Sequence, residues 1–520
     1  MGPAALESVG SSQPLGRDAP RDVRVHTGGV TDPEFAGVPR PLLSAPVEAT
    51  LEPPLRPGNG RVPDPRAVAQ IWPGPNHTGA QLADIGKAVR TDTPRSAHSV
   101  FTPAPTRDPL AILATQATTR VPELVPVRHA RMAVSPFTFF RGAAAVMAAD
   151  LAGTPTTPLC VQLCGDAHLA NFGLLGTPER RQAFDVNDFD ETLPGPFEWD
   201  IKRLAASLVV AALDRGFSDA VARDAAVSAV QSYQSTLTEL AAMDELDAWY
   251  VQLESDMIVD SLPKASRKNA ERAVAKARRH TSAQAVAKLT RQENGLPHIV
   301  EDPPLITHLD EDVTRAHLRE LFDDYVQTVS SERRELVRRY RVVDAARKVV
   351  GVGSVGTRCF VLLALAWSDD SPLFIQVKEA EGSVLEPFVG RAHQGHHGER
   401  VVAGQKLMQS ASDIFLGWGA VGPHHFYVRQ LRDWKGSADL DQITPEQLPG
   451  YGRLCGSALA RSHSRSGNAD ALSAYLGDGD TFAESVADFA QHYATINIDD
   501  HAAFCQAIAD GSVEAAAPPT

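Results

Sequence analysis

The chain has 520 residues, more than one compact domain usually holds, and with 43% hydrophobic and 22% charged residues it can bury a sizeable core, which excludes a peptide hormone or a disulfide-stapled miniprotein. Asp and Glu number 64 against 50 Lys and Arg, a net charge of -14; nonspecific nucleic-acid binding is disfavoured, and an anionic ligand needs a local site. Five scattered cysteines (Cys160, Cys164, Cys359, Cys455, Cys505) form no disulfide framework and read as reduced thiols.

The opening MGPAALESVGSSQP lacks the apolar core of a secretory signal, and no stretch reaches the roughly 18 to 20 apolar residues of a spanning helix. A cytoplasmic protein with no membrane partner is expected. Residues 1–95 carry frequent prolines (Pro39, Pro41, Pro46, Pro53, Pro54, Pro57, Pro63, Pro65) and read as a loosely ordered arm. Residues 96–345 read as a mainly helical part. Within it VSPFTFFRGAAAVMAADL (134–151) predicts one helix behind a Ser-Pro start. PLCVQLCGDAHLANFGLL (158–175) predicts a buried strand that breaks at Gly165, and RQAFDVNDFDE (181–191) a second short strand ending in acids. From Ile201 to about Ala345 the spacing is helical. Residues 346–437 read as a β-rich unit: 349–380 as a hairpin around the SDDSP turn, 398–415 as a helix and 424–431 as a strand. Residues 438–520 return to helix.

Chemistry concentrates in two constellations. In GDAHLAN a turn after an apolar strand can aim Asp166 and Asn171 at one point, as hard oxygen ligands for Mg2+ or to orient a hydroxyl. FDVNDFDE adds Asp185, Asp188, Asp190 and Glu191; strand alternation puts Asp188 and Asp190 on one face. So many carboxylates require a cation or basic neighbours. The second constellation is Gly351, Gly353 and Gly356, with Ser354 among them. The residues that follow, TRCFVLLALAW, suit a strand rather than the helix of a dinucleotide fold. Strand, glycine loop, strand is the arrangement that lays backbone N–H groups over a nucleotide triphosphate. Lys378 in LFIQVKEA stands where such a loop wants a phosphate-binding cation, and Glu399 in GERVVAGQ is the carboxylate expected to brace it.

Other features weigh less. His393, His396 and His397 lie in a glycine-rich turn without ligand spacing. The basic stretch 264–292 reads as a solvated face, with an anion-attracting rim as the alternative, while Arg141 and Arg203 are candidates for pairing with the carboxylates or with phosphate.

The blocks RMAVSPFTFFRGAAAVMAADL, CGDAHLANFG, FDVNDFDETLPGPFEWDIKRLAAS, GVGSVGTR, QVKEA, GERVVAGQKLMQSASDIFLGW, YVRQLRDWKGS and ALARSHSRSG resemble the bacterial family called domain of unknown function 2252, over roughly residues 85 to 505. The site motifs in turn resemble the protein-kinase-like superfamily, especially its aminoglycoside and choline phosphotransferase branch, whose catalytic loop reads H-G-D-x-H-x-x-N. Gly165, Asp166, His168 and Asn171 match it, and Cys164 replaces the leading histidine. Asp188-Phe189-Asp190, then Asp200, repeat that branch's metal aspartate and the later aspartate that braces the catalytic loop. The resemblance implies a two-lobed α+β kinase-like fold in which a small antiparallel β lobe is inserted between two parts of a helical lobe. The order of parts would be circularly permuted, because the glycine loop follows the catalytic loop. It further implies an ATP- and Mg2+-dependent phosphotransferase acting on a hydroxyl of a small molecule, with Asp166 and His168 catalytic and Asn171, Asp188 and Asp190 at the metal. Gly351, Gly353, Ser354, Gly356, Lys378 and Glu399 would hold the nucleotide. The alternatives are an ATP-sensing pseudokinase module and nucleotidyl transfer to protein; a phosphohydrolase built from the acidic strands alone is a third.

Overall fold

FEWDIKRLAASLVVAALD is apolar on nearly every side of a helical projection, the mark of a helix enclosed by protein all round. In the computed structural model it forms the helix Phe197–Asp214, and all its residues from Phe197 to Ala212 are buried. The structure describes residues 77–517 except 262–263, 294, 309–310, 350, 392–394 and 432–433, and these belong to the compact unit Pro46–Thr520. Helices Asp219–Ala241 and Thr481–Ala509 pack on the central helix, and Leu448–Ser464 packs on both it and Asp219–Ala241. Leu204, Leu208, Ala229, Tyr233, Leu459 and Phe482 share this core.

Four short strands sit beside the helices: β1 (Cys160–Leu163), β2 (Phe172–Gly176), β3 (Gln182–Val186) and β4 (Leu193–Pro196). β1 pairs with β4, and β2 pairs with β3, both antiparallel. The hairpin of β5 (Thr290–Glu293) and β6 (Leu296–Ile299) follows. The largest sheet has six antiparallel strands. They are β7 (Ile306–Thr307), β8 (Tyr340–Lys348), β9 (Cys359–Ala366), β10 (Pro372–Ala380), β11 (Gly417–Val421) and β12 (His424–Gln430), in the spatial order β11-β12-β10-β9-β8-β7.

CFVLLALA has no polar alternation because both faces of this sheet are covered. Leu321 and Tyr325 of helix Glu311–Thr328 pack with Leu362, Ala364, Ile375, Val377, Phe426 and Val428 on one face. Ala285 of helix Ser282–Leu289 and Ile299 of β6 pack with Val361, Leu363 and Phe374 on the other.

The architecture is therefore a mixed α+β fold with small antiparallel sheets. It departs from the sequence expectation in three places. The β-rich part does not begin at 346: β8 starts at Tyr340, and segments from 282 onward cover the sheet, because their apolar stripes face strands rather than other helices. The stretch 134–151 is two helices, Pro136–Gly142 and Ala144–Leu151. Arg128 Nη2 takes the Gly142 carbonyl at 2.7 Å, and Met132 lies where a side chain at 142 would go. Of the expected arm, residues 1–76 lie outside the described residues, but Gly79–Asp92 is a helix with a Thr78 capping box and buried Leu82 and Val89. The five cysteines are free: Cys164, Cys359 and Cys455 are buried, Cys160 and Cys505 partly so.

Candidate active site

The GDAHLAN loop is held by one face of the central helix. Asp200, Arg203 and Ser207 stand at i, i+3 and i+7, a single helical stripe. Asp200 accepts from the backbone N–H groups of Cys164 (2.7 Å) and Gly165 (3.0 Å) and lies 3.2 Å from His463 Nε2. Arg203 Nε donates to Asp166 Oδ1 at 2.8 Å, and its guanidinium covers the Phe140 ring at 3.9 Å. Ser207 Oγ accepts from Leu169 N–H at 2.9 Å. Asn171 Nδ2 closes the loop by donating to the Asp166 carbonyl at 2.8 Å. Asp200 thus ties the backbone at the start of the loop to the central helix.

Burial pushes the Asp166 carboxyl up, against the pull of Arg203. His168 Nε2 is 3.7 Å from Asp166 Oδ2, and its Nδ1 is buried without a hydrogen-bond partner. Burial, then the charges of Arg141 and Arg203, hold this histidine well below the usual imidazole range, so the ring is neutral.

β3 ends at Val186, where its ladder with β2 runs out opposite Phe172. Asp188 and Asp190 therefore lie in the loop beyond the strand and not on a strand face as the alternation predicts. Lys378 Nζ reaches both, 3.7 Å from Asp188 Oδ1 and in a closer ion pair with Asp190 Oδ2. Asp190 also accepts from Tyr427 Oη (2.8 Å) and Ser354 Oγ (3.4 Å). Lys378 is 1% exposed, with Cys359 of β9 and Tyr427 of β12 as its cross-strand neighbours. Burial disfavours its charge, but Asp188 and Asp190 outweigh that and raise its pKa. Burial likewise opposes ionisation of Asp190, and Lys378, Tyr427 and Arg429 overcome it.

Glu399 is not the brace of Lys378. Among the described residues the lysine's ion pairs go to Asp188 and Asp190 alone, and no ion pair of Glu399 is found. On helix His397–Met408 the next residue, Arg400, about 100° further round, is buried and faces the acid loop. It donates to the carbonyls of Thr192 (2.7 Å), Asp190 (2.7 Å) and Glu381 (2.8 Å).

Gly351, Gly353 and Gly356 connect β8 to β9, so strand, glycine loop, strand is present. Gly356 has φ +94, and a Cβ there would come within 3.0 Å of Arg120. The loop is pinned from outside: Arg131 Nη1 donates to the Gly351 carbonyl at 2.6 Å, Val121 N–H to the Gly356 carbonyl at 2.8 Å, and Arg120 to the Val355 carbonyl.

Asp166, His168, Asn171, Asp188, Asp190, Gly351, Gly353 and Ser354 line one cleft of about 660 Å3. Lys378, Gly356 and Glu399 are not in its wall. Among the described residues no three His, Cys, Asp or Glu side chains cluster as a metal site. The oxygens of Asn171 and Asp188 are donors suited to a hard cation, whereas the Asp190 carboxylate is already engaged by Lys378, Tyr427 and Ser354. His393 lies outside the described residues. His396 stacks on His425 at 3.9 Å, and neither it nor His397 lines the cleft. Of the basic stretch, Arg278 pairs with Asp256 and donates to Gln182.

Sequence reasoning missed Tyr427, Arg429 and Arg400. The two-residue spacing of Tyr427 and Arg429 in an apolar strand was the available signal; for Arg400 there was none. No described helix is long and apolar enough to cross a membrane. No curated protein and no solved structure matches the chain. A family model described as "Uncharacterized protein conserved in bacteria (DUF2252)" matches residues 120–507. That match spans well over half of the sequence, and the chain belongs to this family.

Proposed function

We propose that the cleft is the active site of a phosphotransferase, moving the terminal phosphoryl group of ATP to a hydroxyl of a small molecule, on a permuted, kinase-like two-lobed scaffold. The observation that carries this reading is the convergence of Lys378, from the sheet, on Asp188 and Asp190, from the loop beside Asp166 and Asn171. A cation on one element and an acidic pocket on another are what gripping a phosphate chain requires.

In this reading the glycine loop covers the phosphates with backbone N–H groups, and Lys378, behind the cleft wall, holds Asp188 and Asp190 in place and adds positive charge beneath the phosphates. Asp166, held by Arg203, orients the acceptor hydroxyl and takes its proton as the oxygen attacks the γ-phosphorus and the bond from that phosphorus to the β–γ bridging oxygen breaks, releasing ADP. His168, neutral and buried, shapes the floor beside Asp166. Mg2+, when bound, supplies charge neutralisation across the phosphates, and Asn171 and Asp188 are the residues that would hold it. Catalysis then comes mainly from positioning and electrostatics.

The test is transfer from γ-labelled ATP to a panel of hydroxyl compounds by the wild type and Asp188→Asn. Transfer by the first and none by the second is the expected result. Equal rates in both remove the assignment of Asp188, and ATP binding without transfer to any acceptor favours a sensor. An adenylate adduct found by mass spectrometry turns the chemistry to nucleotidyl transfer.

A further inference from the structure

The same cleft has a second charged wall that the chemistry above does not use. Arg120, Arg128 and Arg141 all line it, together with apolar side chains from Ala111, Ile112, Ala145 and Phe388. Arg128 is 1% exposed; its Nη2 donates to Gln116 Oε1 (2.9 Å) and the Gly142 carbonyl (2.7 Å), while its Nε and Nη1 have no hydrogen-bond partner. Arg120 is 7% exposed, donates to the Val355 carbonyl and leaves Nε unpartnered. The Arg141 side chain makes no hydrogen bond or ion pair with any described residue, and its Nε is buried. None of the three forms a salt bridge among the described residues, in contrast to Arg203, which is committed to Asp166.

The acids nearby are mostly engaged elsewhere. Asp190 holds Lys378, Glu379 holds Arg358 and His424, and Glu191 accepts from the Val384 N–H. Glu381 faces Arg120, and burial pushes its carboxyl toward the neutral form. A guanidinium does not shed its proton in a protein. Charges withdrawn from water without an ionic partner are costly, and each is expected to have a counter-ion in the working state. Arg120 and Arg128 also repel one another, which an anion between them would relieve.

We infer that this wall is an anion-binding subsite, so that the second ligand of the cleft is a small hydroxy compound that itself carries a carboxylate or phosphate group. The subsite stands on the arginines alone; its role as an acceptor site rests on the phosphotransferase reading. Arg120, Arg128 and Arg141 together fix the anionic group and the apolar side chains take the carbon skeleton, with Arg141, whose charge is felt by Asp166 and Asp188, on the side of the reacting end.

The experiment is calorimetric titration of the full chain with inorganic phosphate and with citrate, with and without a saturating nonhydrolysable ATP analogue. Both anions are expected to bind the wild type, to raise its melting temperature, and to bind equally well beside the analogue. Arg141→Gln should weaken them at least tenfold. Arg128→Met should abolish the anion-induced rise in melting temperature while leaving the free protein no less stable. Absence of anion binding by the wild type, or undiminished binding by folded Arg141→Gln and Arg128→Met, overturns the subsite. Competition between phosphate and the analogue assigns the arginines to the nucleotide and overturns the acceptor role. Anion binding without any analogue binding keeps the subsite and removes the phosphotransferase reading.

Discussion

Lys378 and Asp190, 188 residues apart in sequence, form an ion pair whose lysine is 2% and whose aspartate is 27% exposed at the side chain. The pair ties the large sheet to the loop after β3. Removing one member of such a pair leaves the other uncompensated, and Lys378→Met is expected to cost about 3 to 5 kcal/mol. The double variant Lys378→Met/Asp190→Asn should lose less than the sum of the single changes. Urea unfolding of the three variants measures this, and strict additivity contradicts the coupling.

The brace through Asp190 makes Glu399 dispensable. Glu399→Gln should change stability by less than about 0.5 kcal/mol and leave nucleotide affinity where it was. A large loss of ATP affinity in this variant would restore the lysine–glutamate pairing expected from the sequence.

Gly165 has φ +84, and a Cβ there would stand 2.3 Å from the Glu191 carbonyl oxygen. Gly165→Ala therefore combines left-handed strain with a clash against rigid backbone, about 3 kcal/mol together. Gly351, at φ +65 with nothing within 4 Å, supplies the comparison. Gly351→Ala should cost only about 1 to 2 kcal/mol. Thermal unfolding of both ranks them, and the reverse order would show that the 165 loop is free to move.

Burial raises the Glu191 carboxyl from 4.5 to about 7, so the folded chain holds this proton more tightly than the unfolded one. The stability contributed by that proton is fully present below about pH 4.5 and is lost as pH rises through 7. Glu191→Gln can still accept from Val384 N–H and cannot ionise. At pH 8 it should exceed the wild type by roughly 3 kcal/mol, with the gap closing by pH 4.5. Denaturant curves across that range decide it; a constant gap would mean that Glu191 does not titrate between the two.

Legibility followed locality. Asp166, Asn171 and Asp188 could be picked out because a turn after a strand and a run of acids are contiguous patterns. The glycine loop leads into β9 and Lys378 lies on β10, the two strands of one hairpin, again within reach of periodicity. Two kinds of information were out of reach. The partner of Lys378 is chosen by how the sheet docks on the acid loop, so Glu399, nearer in sequence, was named in place of Asp190. The cover of the sheet comes from residues 282–299 and 311–328, whose helical and turn-like texture resembles that of the central bundle. The stripe of Asp200, Arg203 and Ser207 is visible as polar residues at i, i+3 and i+7 of an otherwise apolar helix; Asp200 and Arg203 stand out in the sequence as a brace and a carboxylate partner, whereas nothing marks Ser207 as an acceptor for the Leu169 N–H.

The hairpin and helix between 282 and 299 look like an insertion that could be trimmed when the protein is shortened for study. They roof Val361, Leu363 and Phe374. Excising them would leave a bare greasy flank on the strand layer that carries Lys378, the kind of surface that drives clumping, and the shortened chain would report on its own insolubility rather than on the chemistry of the cleft.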